Sequence, residues 1–504
     1  MRPTTRFSAF GALAALVFAT SCNSFLDPSP SDVLTPENFY KTSSDAVAAT
    51  NAVYESTKWS YWLGFWYISD IATDDIIAGP RFGSDGHRMS NYIFDAAEWP
   101  MGDMWGSAYW IINRANTVLD RVPSITMDPT LRDRLLNEAR FLRANAYFDL
   151  VRSFGDVPLL EHEVKSLDGV RVSRTAAAEV YALIVNDLQQ AVAGLPASYS
   201  GSDIGRVTSG AAQAMLAKVY LTRQDWANAA QTAGQLIATG SYTLLPNWRD
   251  CFKIATEITN SESIFEINYD GLLDPGAGSV HTLFSLPSGF PGGDAYGLMT
   301  VAPSLARLFA ASDTRGLGGT FIVSDTTKPY VDALGDTVTW TDPPDTLGPA
   351  FIKYLDQTDF QNMHQRAWVR QSNNWIVLRY ADVLLMYAEA VNEGGAPVAA
   401  MTAEQALNAV RTRAGIGAVL GLSTAAFRDS VWLERRREFL FEGQRWFDLS
   451  RWGVLNSAIT AKTTELGTIA PGETTVHGAR SNLLPIPQGE RNKNPNLTQN
   501  PGWN

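Results

Sequence analysis

The stretch Val431 to Gly453 reads VWLERRREFLFEGQRWFDLSRWG, and its charged residues recur at intervals of three or four. The residues with this spacing are Glu434, Glu438, Glu442, Arg445, Asp448 and Arg451. Clustered carboxylates can perform acid and base chemistry when their pKa values are pushed apart. Here each carboxylate has an arginine within reach, and no histidine or nucleophile accompanies them. The pattern therefore predicts a structural ion-pair network beside packed aromatic rings, and no catalytic residue.

Helical patterns lie on both sides of this stretch. The strongest begins where Asp128 can cap a helix that starts at Pro129 and stops at Gly155. Further helices are predicted at about 175–195, after Thr208, at 226–238, from Ile376, at 402–414 and at 427–442. The helix after Thr208 and the helix at 226–238 form a pair that is similar to one tetratricopeptide unit. No strict period recurs along the chain. The predicted fold class is mainly α, an irregular tetratricopeptide-like helical-repeat superhelix.

The segment between these helical halves differs in composition. Residues 271–350 contain 12 Gly and 8 Pro, a quarter of the segment, so we expect turns and long loops there. Alternating runs at Thr320 to Val323 and Thr337 to Trp340 suggest one small β-hairpin.

The first 22 residues have the pattern of a lipoprotein export signal. Arg2 and Arg6 precede a 13-residue apolar run, which is too short to span a bilayer core of about 30 Å. Small residues then lead to Cys22, the predicted lipidation site after cleavage of residues 1–21. The alternative is plain secretion, with Cys22 free or paired with Cys251. A lipid anchor predicts one buried or inert thiol and no intramolecular disulfide.

Charge and motifs exclude several functions. The formal net charge of -12 makes nucleic acid a poor partner. The sequence has no G-x-S-x-G, H-E-x-x-H or Walker motif, its five histidines are scattered, and nothing indicates a cofactor or a metal site. Asp70, Asp74 and Asp75 are weak calcium candidates, because their spacing is not that of an EF-hand loop.

Five stretches, in order along the chain, resemble the SusD/RagB-like nutrient-binding lipoproteins of bacterial outer membranes. They are CNSFLDPSPSDVLTPENFYKTSSDAVAATNAVY from Cys22, NEARFLRANAYFDLVRSFGDVPLL from Asn137, LRYADVLLMYAEAVNE from Leu378, LNAVRTRAGI from Leu407, and LLPIPQGERNKNPNLTQNPGW from Leu483. The arginine-rich stretch quoted first lies between the last two.

The resemblance implies a single domain over 22–504, built on about four helix pairs with long loops and little β hairpin. Its parts are a tether (22–40), an N-terminal helical-repeat half (41–270), a Gly/Pro-rich loop region (271–375) and a C-terminal half (376–504). It also implies a lipid-anchored, extracellular-facing protein of the outer membrane. Such a protein captures an oligosaccharide or peptide and passes it to a SusC-like TonB-dependent transporter, without catalysis.

Aromatic residues suggest where a ligand binds, because sugar rings stack on flat side chains while a few polar groups fix their orientation. One residue in four from Trp59 to Trp110 is aromatic. The resemblance places ligand residues in loops within this window and after residue 270. The candidates are Trp59, Tyr61, Trp62, Trp66, Arg81, Phe82, Asp85, Trp99, Tyr296 and Trp340.

Three other functions stay open at this point. A peptide-binding member of the same family has the same scaffold, and a helical-repeat protein can serve as a protein-interaction scaffold. A surface glycoside hydrolase is the third, and it is disfavoured because its candidate carboxylates, Asp74 and Asp75, are adjacent, and neighbours in sequence seldom converge on one reacting bond.

Overall fold

The computed structural model describes the chain from residue 39 in a series of ranges. They are 39–79, 82–166, 169, 171–269, 278–286, 296–316, 319, 321–322, 330–331, 337–338, 349–356, 372–398, 401–467 and 482–503. The predicted signal peptide, Cys22 and most of the tether lie outside these ranges, as do the candidates Arg81 and Trp340.

The described part of the first half is mainly helical. Its helices are α1 (Ser43–Trp62), α2 (Gly64–Trp66), α3 (Gly83–Ser90), α4 (Trp99–Arg121), α5 (Pro129–Phe154), α6 (Ala177–Gly194), α7 (Ser209–Thr222) and α8 (Trp226–Ala238). The predicted signals of α5 are confirmed. The Asp128 carboxylate accepts a hydrogen bond of 2.8 Å from the Leu131 amide, and Gly155 ends the helix with a φ of 72°.

In the second half, helices alternate with turns and short strands. The helices are α9 (His281–Ser285), α10 (Pro303–Ala306), α11 (Tyr380–Asn392), α12 (Ala403–Arg413), α13 (Thr424–Glu438), α14 (Arg445–Arg451), α15 (Leu455–Leu466) and α16 (Gln488–Lys493). The prediction of helix to residue 442 was wrong. The backbone after Glu438 turns through positive φ at Phe441 (62°) and Gly443 (70°), so the arginine-rich stretch forms two helices with a turn between them.

The strands pair segments that are distant in sequence. They are β1 (Ile76–Ala78), β2 (Ser263–Ile267), β3 (Met299–Val301), β4 (Phe321–Ile322), β5 (Tyr330–Val331), β6 (Thr337–Val338), β7 (Ala350–Phe351) and β8 (Trp375–Arg379). The antiparallel pairs are β1–β3, β2–β8, β4–β7 and β5–β6. Both runs of the predicted hairpin contain a strand, but they pair with β7 and β5 and not with each other. Ile376, predicted to begin a helix, lies in β8.

Helices pack in series along the molecule. Helix α1 packs on α4, α4 on α5, α5 on α6, α6 on α7, α7 on α8, α8 on α11, and α11 on α12 and α13. This order confirms the mainly helical, tetratricopeptide-like fold, and the buried apolar side chains form a contiguous core that includes both halves. The division into one domain with four named parts stays a prediction.

Two further observations concern the predicted export signal. Cys251 is a buried free thiol whose pKa is raised well above its usual value by burial, which makes it a poor nucleophile. None of the described helices has the length and apolar character needed to cross a membrane.

Candidate ligand-binding site

The aromatic-rich window is largely helical. Trp59, Tyr61 and Trp62 lie on the last turns of α1 and Trp66 lies on α2, so the prediction that this set occupies a loop was wrong. Trp59 is 44 % exposed, and its ring packs edge-on against that of Trp62 at 5.7 Å between centroids. Tyr61 is buried, and its hydroxyl donates a hydrogen bond of 2.7 Å to Asp149 on α5.

Strand pairing brings the two predicted loop sets together. Ile76 to Ala78 of β1 pair with Met299 to Val301 of β3, and the Gly79 amide donates a hydrogen bond of 2.7 Å to the Leu298 carbonyl. The described residues of 66–79 and 82–99 therefore lie beside those of 281–286 and 296–301, although about 200 positions separate them in the sequence.

A continuous series of aromatic rings crosses this surface. We call it the ring array; its members, in spatial order, are Trp99, Tyr67, Phe82, Trp66, Phe284 and Tyr296. Successive ring centroids lie 4.8, 5.2, 6.3, 5.8 and 5.8 Å apart. These separations are those of favourable aromatic contacts.

The ring array is buried in its middle and exposed at its ends. Trp66 has no exposed surface and Phe82 is 6 % exposed, whereas Trp99 and Tyr296 are each 38 % exposed. A buried ring cannot stack on a ligand, so Trp66 and Phe82 act in this structure as core residues that support the exposed rings. The buried Tyr61 is a core residue that contacts Phe65. Two members, Tyr67 and Phe284, are not among the candidates predicted from the sequence. Tyr67 lies in the aromatic-rich window, but nothing in the sequence marks Phe284.

Asp85 lies on the short helix α3 and not in a loop, which corrects the prediction. The helix packs closely on the ring array, because a Cβ on Gly86 would lie 2.3 Å from a carbon of the Phe82 ring. Asp85 is half-buried. Burial and, to a smaller extent, the Asp85 charge raise the pKa of Tyr67, so Tyr67 offers a neutral hydroxyl beside a carboxylate.

The C-terminal signature holds the start of this surface in place. Arg445 donates to Asp74 at 2.8 Å and Arg436 donates to Asp75 at 2.7 Å. Burial by itself raises the pKa of Asp74, but the charges of Arg445 and Arg436 outweigh it and hold that pKa well below its usual range. Each of the two carboxylates, Asp74 and Asp75, has an arginine as its partner, and this arrangement is typical of structural ion pairs. No group of three or more metal-ligating acidic, His or Cys side chains occurs among the residues that the structure describes.

The remaining residues of the signature form buried ion pairs, most of them with partners far along the chain. Glu434 pairs with Arg315 at 2.7 Å, Glu438 and Glu442 pair with Arg379 at 2.6 and 2.8 Å, Asp448 pairs with Arg435 at 2.8 Å, and Arg451 pairs with Glu389 at 2.6 Å. Burial raises the pKa of Glu438, but the charges of Arg413, Arg379 and Arg315 lower it well below its usual value. These side chains therefore connect helices and strands as charged pairs, away from the ring array.

Comparison with known proteins gives the family. A sequence model described as the SusD family matches residues 346–503, and one described as starch-binding, associating with the outer membrane, matches residues 25–221. The chain belongs to the SusD-like family. Members of this family bind carbohydrate and are not enzymes as a general property.

Individual relatives extend over nearly the whole chain. SusD-like protein P2 of Formosa agariphila is 29 % identical, over 95 % of this chain and 96 % of its own. A solved structure named as a laminarin-binding SusD-like protein is 27 % identical, with a TM-score of 0.77 over 92 % of this chain and 100 % of its own. Surface glycan-binding protein A from Bacteroides uniformis is 26 % identical, with a TM-score of 0.73 over 91 % and 99 %.

Proposed function

We propose that this SusD-like protein captures oligosaccharides on the exposed ends of its ring array and delivers them to a TonB-dependent outer-membrane transporter. The observation that carries the proposal is the array itself. Trp99 and Tyr296 each present a partly exposed ring, and the strand pair β1–β3 joins the segments that hold them. Apolar faces of sugar rings stack on such side chains, while neighbouring polar groups such as Asp85 accept hydrogen bonds from hydroxyls.

The ligand class follows from the family and from local charge. A laminarin-binding protein is among the structural relatives above 25 % identity, which favours a neutral glucan over a peptide as the first ligand to test. The Asp85 carboxylate near Tyr67 disfavours a polyanionic glycan, because like charges repel at short range. Trp59, Trp62, Arg81 and Trp340 remain further candidates for ligand contact.

The cellular part of the proposal rests on the N-terminal sequence and the family. Cleavage after residue 21 and lipid attachment at Cys22 would tether the protein to the outer membrane by a Pro-containing leash. Metabolic labelling with a radioactive fatty acid should mark the wild type and not Cys22→Ser. Protease added to intact cells should digest the protein, and full protection would contradict a position on the outer face.

Binding is tested with the chain without its predicted signal peptide. An array of neutral oligosaccharides, anionic oligosaccharides and peptides should show binding to a neutral oligosaccharide without release of shorter products. Trp99→Ala and Tyr296→Ala should each weaken that binding by tenfold or more, since the apolar face of a sugar ring loses a stacking partner.

The matched control is Trp110→Ala. Trp110 lies on the same helix as Trp99 and is 41 % exposed, but its ring packs against Arg114 and has no contact with the ring array. Its removal should leave affinity unchanged. Equal losses in all three variants would contradict the assignment to the ring array, and binding of peptides alone would favour the peptide-binding alternative.

A further inference from the structure

A cleft separate from the ring array lies beside helix α1. It is a cleft of about 550 Å³ between Asn51, Tyr54 and Lys58 of α1 and the segments 202–206 and 265–269. A hollow of about 360 Å³ adjoins it and shares Ile204, Ile258 and Asn268 as lining residues. The cleft has the size of small-molecule sites, which are about 300–1,000 Å³. No member of the ring array lines either concavity.

The floor of the cleft has an unused hydrogen-bonding group. Ser372 is 7 % exposed, and its hydroxyl has no hydrogen-bond partner among the residues that the structure describes. Two residues further along the chain, the Asn374 side-chain amide donates to Glu266 Oε2 at 2.9 Å and to Asn268 Oδ1 at 3.1 Å. A buried hydroxyl without a partner is uncommon, because it loses its bonds to water without replacement. Ser372 lines the cleft, and a rotation of its side chain would present this enclosed hydroxyl to a ligand there.

Both cations that line the cleft are paired within the protein, and the lining carboxylate of Glu257 accepts a hydrogen bond of 3.1 Å from the Asn374 amide. Lys58 pairs with Glu55 at 2.8 Å, and Arg206 pairs with Glu138 at 2.9 Å. Burial raises the pKa of Glu266 to about 7, and no lysine or arginine in the described ranges forms an ion pair with it. The cleft thus offers a carboxyl group that is only partly ionised near pH 7, together with amides and a hydroxyl, and this mainly polar lining suits a ligand rich in hydroxyl groups.

The rim of the cleft adds apolar surface. Ile204 is 40 % exposed and Ile258 is 42 % exposed, which is unusual for isoleucine, and both border the cleft and the adjoining hollow. The half-buried ring of Tyr54 lines the same space. Apolar walls combined with a few neutral polar groups match the apolar faces and hydroxyl edges of a sugar.

We propose that this cleft is a second ligand site, which takes a short uncharged saccharide independently of the ring array. It goes beyond the function proposed above, because the two sites share no lining residue. A chain with two sites would hold two fragments at once, or hold one oligosaccharide at two points. Attachment at two points would raise the residence time of that oligosaccharide on the protein.

The test is a titration of the chain without its predicted signal peptide, labelled at isoleucine methyl groups and observed by NMR. Ile204→Val and Ile258→Val assign the two reporter signals. The probes are uncharged hexasaccharides of glucan, mannan, xylan and galactan, with an oligogalacturonate and a tetralysine peptide as charged comparators. Saturable shifts of both signals are expected with at least one uncharged hexasaccharide.

Variants separate the two sites. Ser372→Ala and Asn268→Ala should each weaken the titration by about 3- to 10-fold through loss of one hydrogen bond. Asn492→Ala, which removes an exposed amide far along the chain, should leave it unchanged. The shifts should persist in Trp99→Ala, and this expectation holds whether or not the ring array binds oligosaccharide. The proposal is overturned if no uncharged probe shifts Ile204 and Ile258, if only a charged probe does, or if Trp99→Ala abolishes the shifts.

Discussion

Arg379 is a residue on which three buried carboxylates converge. Its guanidinium donates to Glu262 at 2.9 Å, to Glu438 at 2.6 Å and to Glu442 at 2.8 Å, and all four side chains are at least 97 % buried. Burial by itself lowers the pKa of the Arg379 guanidinium, but the surrounding carboxylates outweigh this effect. The pKa therefore lies well above its usual value, and the group stays charged. Removal of the cation from such a cluster strongly lowers the stability of the fold, since each carboxylate without its cation stays buried and charged.

We expect Arg379→Met to lower the free energy of unfolding by about 3–5 kcal/mol, the range for removing one partner of a buried pair. Urea unfolding followed by circular dichroism measures the loss. The control is Arg428→Met, because Arg428 is 35 % exposed and pairs with Glu393 at the surface. That change should cost less than about 1 kcal/mol. Similar losses of unfolding free energy in the two variants would show that burial does not strengthen the contribution of the Arg379 ion pairs to stability.

Glu266 gives a pH dependence of known sign. Its pKa is raised to about 7 by burial, whereas an unfolded glutamate titrates near 4.5. Between these values the unfolded chain releases a proton that the folded chain keeps, so this group lowers stability as pH rises, by at most about 1.4 kcal/mol per pH unit. Glu266→Gln should therefore be more stable relative to wild type at pH 7.5 than at pH 4.5. Urea midpoints at both values measure this, and an equal difference at both would contradict the raised pKa.

Among the elements, the short helix α3 depends on a close approach of backbone and ring. A Cβ on Gly86 would lie 2.3 Å from the Phe82 ring, and Phe82 supports Tyr67 and Trp66 within the ring array. Displacing Phe82 therefore disturbs the surface that presents Trp99.

We expect Gly86→Ala to destabilise the protein by about 1–3 kcal/mol, the cost of overpacking, and to weaken oligosaccharide binding. Gly106→Ala on α4 is the matched control, since nothing lies within 4 Å of an added Cβ there. Because alanine favours helix over glycine, that variant should gain about 0.5–1 kcal/mol. Thermal unfolding of both variants should thus give shifts of opposite sign, and a stabilised Gly86→Ala would refute the close contact.

The limits of sequence prediction also lie at this scale. The bounds of α5 and α8 could be predicted because caps and turns are local, as with Asp128 and Gly155. The apolar run at Ile376 reads equally as helix or strand, and its strand partner β2 lies more than 100 residues earlier. For the same reason the exposed rings could be found by composition, but not the pairing of β1 with β3 that joins them. Phe284 belongs to the ring array only through that pairing.

For the whole molecule, the two halves matched by separate family models are joined by a line of buried charges. Lys218 on α7 pairs with Asp382 on α11 at 3.0 Å, Asp382 pairs with Arg435 on α13 at 2.8 Å, and Arg435 pairs with Asp448 on α14 at 2.8 Å. Burial raises the pKa of Asp382, but the two cations outweigh it and hold that pKa well below its usual range. With the contiguous apolar core, these pairs couple the stability of one half to that of the other.

We therefore expect the wild type to unfold in a single calorimetric transition, and Asp382→Asn to lower its midpoint while keeping one transition. Loss of the carboxylate leaves Lys218 buried without its partner, at a cost of about 3–5 kcal/mol. The control Glu490→Gln breaks an exposed pair with Lys493 and should cost less than about 1 kcal/mol. Two transitions in the wild type would mean that the halves unfold separately. Two transitions in Asp382→Asn alone would mean that this line of charges, and not the apolar core, is what couples them.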